Sequence, residues 1–208
     1  MTYTILAYDP AAGQAGVAVV SGSIAVGSRV PWGRHGLGVV ATQGYTNPAL
    51  GPMILELLAK GLTASDALRE ALSKDTSPAH RQVAIVDYRG DVAVHDGSWT
   101  PAWHGYRIST TEAAVAIANL VTGPRVVDAM MEAFESTRGT LAERLLAAIE
   151  AGHREGGDRR GDRSAALLVV GATEYGTYYD RIIDLRVDYD PRNPVQTLIK
   201  LYEYYLEH

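Results

Sequence analysis

An α+β protein, with antiparallel sheets and helices segregated from them, is what this 208-residue sequence predicts. Three observations carry the prediction. Pairs of apolar runs are joined by short turn-rich segments, the pattern of hairpins. Helical stretches come two at a time between groups of strands, unlike the strict alternation of a doubly wound parallel sheet. No internal repeat and no low-complexity linker divides the chain, so residues 1–208 are read as one domain.

In chain order, Thr2 to Tyr8 alternates as a strand, and Asp9-Pro10-Ala11-Ala12-Gly13 is a turn by composition. Ala15 to Val20 is a second strand, which completes a hairpin. Ala25 to Val30 reads as a further strand closed by Pro31, and Leu37 to Thr42 as a buried one. Pro48 to Lys60 spaces Met53, Ile54, Leu57 and Leu58 along one helical face and stops at Gly61. A second helix starts at Thr63, with Asp66 three residues on. Gln82 to Asp87 and Asp91 to His95 flank Tyr88-Arg89-Gly90 as another hairpin. Pro124 suits the first position of a helix carrying Val127, Met130, Met131 and Phe134. Thr140 and Glu143 form a capping box for the next helix. Ala165 to Val170 and Arg181 to Val187 are strands, and a C-terminal helix covers about 194–207.

Composition narrows the function. A net charge of −5, with no basic stripe, gives no surface for neutralising phosphates, so no nucleic-acid partner is expected. Without cysteine there is no disulfide, thiol nucleophile or Cys-ligated metal. The six histidines lack metal-ligand spacing, so no metal or other cofactor is expected. No run approaches the roughly 18 apolar residues of a membrane span, and no signal peptide is recognisable. A cytoplasmic protein with no membrane partner is the expectation. Tyr202, Tyr204, Tyr205 and Leu206 surround most of the last helix, which predicts a homo-oligomer.

Two stretches bear on chemistry. In G-G-D-R-R-G-D-R-S-A-A-L-L-V-V (156–170), two Asp and three Arg stand directly before an apolar strand. This is either a solvated loop or a polar cluster at a cleft, with Asp158, Arg160 and Ser164 aimed inward. An ion-pair network of Asp158 with Arg160 is expected, because burial without partners is costly. The second stretch is the head of the first strand. A threonine with a free α-amine is nucleophile and base in one residue. Its Oγ attacks a carbonyl, and its amine, with a pKa of about 7.7–8, takes the proton. Thr2 reaches that state if Met1 is removed, which aminopeptidases do when the second residue is small.

The opening T-Y-T-I-L-A-Y-D-P-A-A-G-Q-A-G-V-A-V-V-S, V-G-S-R-V-P-W at 26–32, A-T-Q at 41–43, N-P at 47–48, R-Q-V-A-I-V-D at 81–87, the 156–170 segment and D-R-I-I-D-L-R-V-D at 180–188 together resemble the domain of unknown function 1028 family. The resemblance implies an N-terminal-nucleophile (Ntn) hydrolase-like fold, a four-layer αββα sandwich of two antiparallel sheets flanked by helices. It implies Thr2 as nucleophile, with Ser21 near it across the hairpin. Asn119 matches an asparagine of the family pattern and is the implied oxyanion donor. Ile117-Ala118 stand where that pattern has Gln-Gly, and Arg163 where it has Gln. The reading is an amidohydrolase of a small-molecule amide. Thr2, Asn119 and Ser21 would do the chemistry, Ser164 would hold the amine's network, and Arg29 or Arg160 would clamp a substrate carboxylate. The competing readings are a non-catalytic ligand-binding or assembly protein on the same fold, and chemistry by another residue such as Ser21 or Asp158.

Overall fold

The computed structural model describes residues 2–208; the expected removal of Met1 lies outside them. Strand β1 (Thr2–Asp9) turns through Gly13 into β2 (Gln14–Ser21), the predicted hairpin. β3 (Pro31–Arg34) and β4 (Gly38–Gly44) lead to helices α1 (Leu50–Ala59) and α2 (Ala64–Ser73). β5 (Arg81–Asp87) and β6 (Val92–Asp96) form the second predicted hairpin. The Asp87 carboxylate accepts from the backbone N–H groups of Arg89 and Asp91 inside that turn. β7 (His104–Ile108) and β8 (Ala114–Asn119) come next, then α3 (Arg125–Ser136), α4 (Leu141–Arg154), β9 (Ser164–Val170), β10 (Arg181–Val187) and α5 (Pro194–Glu207).

The strands make two antiparallel sheets. One has the order β10-β9-β2-β1-β8-β7 and the other β3-β4-β5-β6. Alternation along β1 assigns its faces. Tyr3 and Ile5 pack under α3 and α4 with Met130, Phe134 and Leu145, while Leu6 joins Val17, Val39 and Ile117 between the sheets. A third core sits between the small sheet and α1–α2, with Ile54, Leu58, Leu68 and Ile85. Three cores imply four layers, α/β/β/α. Helix starts follow the sequence: Thr63 accepts from the Asp66 N–H, Thr140 and Glu143 complete a capping box, and Asn193 caps α5 ahead of Pro194.

Two local expectations differ from the structure. Residues 25–30 are not a strand. Ala25 adopts a left-handed φ of 53° and Val26–Ser28 form one 3₁₀ turn. The Ser164 hydroxyl accepts from the Val26 N–H at 3.2 Å, and the Val30 N–H returns to Val26 O, so these backbone groups are used locally. β7 and β8 lie where the sequence reading assigned nothing. β8 is fully buried and Ala-rich (A-V-A-I-A-N), so it lacks the polar alternation that marks a half-exposed strand.

The contact of α1 with β3 is tight at Gly51. A Cβ there lies 2.2 Å from Trp32 Cδ1 and 2.3 Å from Cγ. Gly51→Ala is therefore expected to destabilise the protein by about 1–3 kcal/mol despite the better helix propensity of alanine. Urea unfolding checks this, and an unchanged or raised midpoint contradicts it.

Candidate active site

The register of the large sheet lines up one row of polar residues at its end. Thr2 pairs with Ser21 on one side and Asn119 on the other; Ser21 pairs with Ser164, and Asn119 with His104. Residues directly opposite in a sheet share a face, so the row points into the space between the sheets. Two residues further in, Ile117, Val19 and Ala166 flank Thr4, and the interior turns apolar. Of the predicted residues, Thr2, Asn119, Ser21 and Ser164 are thus gathered by pairing alone, although about 160 positions separate the first from the last.

Thr2 is 4% exposed. Its hydroxyl donates to Ser21 Oγ at 3.2 Å, and the Ser23 N–H donates to the same oxygen at 3.0 Å. Thr2, Ser21 and Ser23 line a cavity of about 360 Å³ with Arg29, Gly44, Tyr45 and Thr46. A larger one, about 500 Å³, lies between α2 and β6–β7 and contains none of the predicted residues. The smaller cavity is the candidate site because the strand-head hydroxyls open into it.

Behind Thr2 lies a buried network of amides that sequence reasoning did not single out. Gln43 accepts from the Thr4 hydroxyl at 2.6 Å and donates to Thr2 O at 3.3 Å and to Gln82 Oε1 at 2.7 Å. Gln82 donates to Asp96 at 2.9 Å and to Ala118 O at 2.9 Å. A carboxylate and a carbonyl can only accept, so the Gln82 amide nitrogen is fixed toward them and its oxygen toward Asn119. Asn119 Nδ2 donates to that oxygen at 3.0 Å. Asn119 Oδ1 then points away from Gln82, and it is the one buried side-chain polar atom without a hydrogen-bond partner among the described residues. The signal available in sequence was a glutamine near one end of each of two mainly apolar strands, β4 and β5.

Asp158 and Arg160 stand behind the loop that follows β2. The Asp158 side chain is fully buried and pairs with the Arg160 guanidinium at 2.9 Å. Its carboxylate also accepts from the Gly22 N–H at 2.8 Å and the Arg160 N–H at 2.9 Å. They brace Gly22 and Ser23 and do not line the cavity, and Arg160's charge neutralises Asp158. Ser164 acts on the same loop, donating to Ser23 O at 2.6 Å. Arg29 is different: it is exposed, lines the cavity, donates to Ile24 O at 3.2 Å, and makes no ion pair among the described residues. On the other face of β1, Tyr3 donates to Asp162 at 2.6 Å. Burial, then the Asp162 charge, push the Tyr3 hydroxyl well above its ordinary range, so it remains a proton donor.

The opposite rim, residues 44–48, hangs on Asp75. That carboxylate accepts from Arg81 Nε at 3.0 Å, Asn47 Nδ2 at 2.8 Å and the Ser77 N–H at 2.7 Å, while Arg81 also donates to Tyr45 O. Burial alone raises the Asp75 pKa. The hydrogen bonds from Arg81, Asn47 and Ser77, with the Arg81 charge, outweigh it and lower the group from its ordinary 3.8 to about 2. A depressed carboxylate stabilises the fold above its unfolded pKa and loses that contribution as pH falls through the folded one. Asp75→Asn should therefore remove ~2 kcal/mol at neutral pH and flatten the stability curve between about pH 4 and 2. Denaturant midpoints measured across that range check it; parallel curves for the two proteins contradict it.

The described residues contain no group of three or more His, Asp or Glu side chains placed to hold a metal ion, and no helix long and apolar enough to cross a membrane. The fold and the polar row define a two-sheet α+β sandwich with a threonine at the head of a central strand. The chain belongs to the DUF1028 family, a family of unknown function, whose pattern matches residues 2–198. Among solved structures it is similar to a Silicibacter pomeroyi protein of the same family, at 34% identity and a TM-score of 0.88, over 98% of this chain and 85% of that one. No curated protein matches it.

Proposed function

We propose that this protein is an N-terminal-nucleophile amidohydrolase of small amides, with Thr2 as nucleophile once Met1 is removed. The observation that carries the reading is the pairing of Thr2 with Asn119. A hydroxyl that faces a cavity stands directly across from a buried oxygen that lacks a donor among the described residues. In this reading the amine freed at Thr2 turns to donate to Asn119 Oδ1, which has no donor among the described residues, and a buried acceptor left unmet costs about 1–3 kcal/mol. In this scheme Asn119 holds the amine through Oδ1 and offers its second amide N–H to the oxyanion.

The chemistry then balances within one residue. The Thr2 amine takes the hydroxyl proton as Oγ bonds to the substrate carbonyl carbon. Backbone N–H groups at the site steady the oxyanion. The carbon–nitrogen bond breaks, and the amine returns its proton to the leaving nitrogen. Water then cleaves the resulting Thr2 ester, releasing a carboxylic acid and restoring the hydroxyl. Ser21, which accepts from Thr2 Oγ, is the proton's alternative route. Between the two arginines, Arg29 is the better clamp for a substrate carboxylate, because Arg160 already serves Asp158.

A non-catalytic ligand-binding protein on the same fold is the second reading. It is favoured by Ile117, which lacks the amide donor of the glutamine in the family pattern. Intact mass and an electrophilic ester probe separate the two. The hydrolase reading expects the mass of the chain less one methionine, and a single adduct on the peptide that begins at Thr2. A retained methionine, or processed protein that stays unlabelled, leaves the binding reading.

A further inference from the structure

The rim of the Thr2 cavity carries an aromatic ladder that the chemistry above does not use. Tyr45, which lines the cavity, is 54% exposed, and Trp99 is 67% exposed. His80 stands between them. Its ring meets Tyr45 edge-on at 5.5 Å and 84°, and Trp99 at 4.9 Å and 81°. Such edge-to-face pairs hold aromatic rings in defined orientations.

The ladder is fixed from behind. The Tyr45 N–H donates to His80 O at 3.1 Å, and the Trp99 N–H to Ala79 O at 2.8 Å. Arg81, held by buried Asp75, grips Tyr45 O. These rings are therefore ordered while still facing water, an arrangement that pre-organises a surface for a flat apolar group. In the same cavity Arg29 offers a guanidinium with no carboxylate partner among the described residues. Its backbone is tied down by Trp32, whose indole N–H donates to Arg29 O at 3.0 Å.

We infer that the cavity takes aromatic N-acyl amino acids: a carboxylate seated on Arg29, and an aromatic acyl group against Tyr45 that extends toward Trp99. The amide joining the two parts is then the bond presented to Thr2. That last step rests on the hydrolase reading, whereas the ligand class does not.

Ligand-observed NMR titration of the full-length protein tests this with N-benzoylglycine, N-acetylglycine and N-benzoylglycinamide. N-benzoylglycine is expected to bind at least tenfold more tightly than either of the others. Trp99→Ala and Tyr45→Ala should each cut the benzoyl-over-acetyl ratio at least threefold, and Arg29→Met should abolish the acid-over-amide ratio. Trp99 is a surface residue, so its variant serves if the Tyr45 variant folds poorly. Affinities within twofold of one another, no binding by any of the three, or ratios that survive in these variants overturn the inference. Benzoate release followed in parallel keeps the two ideas apart. Selective binding without release sinks the hydrolase and leaves the ligand class, while release without selectivity does the reverse.

Discussion

Thr2→Ala is expected to abolish covalent labelling and any amide hydrolysis, a loss on the order of 10³-fold or more, as for removal of a nucleophile that acts as a unit with its base. Thr2→Ser keeps both the hydroxyl and the adjacent amine and should stay within about tenfold of the parent. The fold should tolerate either change. Thr2 is the first residue of β1, and among the described residues its side chain makes one hydrogen bond, to Ser21, of about 1 kcal/mol. Unfolding midpoints alongside labelling rates separate the chemical effect from the structural one. If Thr2→Ala labels like the parent, the reacting group lies elsewhere and this site assignment is wrong.

The largest effect on stability is expected at Gln82. One amide meets Gln43, Asn119, Asp96 and Ala118 O in a fully buried position. Gln82→Leu has nearly the same volume and can serve none of them. It strands two amide N–H donors, of Gln43 and Asn119, and a backbone carbonyl at once, while Asp96 keeps His104 Nδ1 on the same oxygen at 2.9 Å. Unmet buried groups cost about 1–3 kcal/mol each, less whatever relaxation recovers, so a net loss of about 3 kcal/mol or more is expected. The urea midpoint should fall while the slope stays constant. Because Gln82 fixes the Asn119 amide, labelling at Thr2 should also slow in the fraction that remains folded. A midpoint within error of the parent would show that the network contributes nothing net.

These two residues also mark what the sequence discloses and what it does not. Thr2 is legible because its position relative to Met1 carries its chemistry. The β1–β2 hairpin, the capped helices and the alternation that sets Tyr3 against Leu6 are legible because they obey local rules of spacing. Gln82 is not legible. Its partners on β4 and β6 stand beside it by strand register, and only the packing of the two sheets brings Asn119 and Ala118 of β8 to it. β8 itself hides because an alanine-rich strand buried on both faces shows no period. The 25–30 segment misleads for the opposite reason: its residues suit a strand, but Ser164, distant in sequence, claims the Val26 N–H. Asp158 and Arg160 form the expected ion pair, yet they brace a loop and leave the cavity to Arg29, a distinction that depends on which charge already has a partner.

The place of β1 within its sheet has a kinetic meaning. Its backbone is bonded on both sides, to β2 and β8, and its side chains reach two of the three cores. Amide protons of Tyr3 to Ala7 should therefore exchange with solvent only when the whole molecule opens. The rim at 44–48 is held by a few polar contacts and should exchange through smaller, local openings. Thr2 and the aromatic rim thus belong to units of different protection, one as durable as the fold and one that breathes. In rising urea, ligand selectivity is expected to fade first, while the threonine keeps its neighbours until the molecule unfolds as a whole.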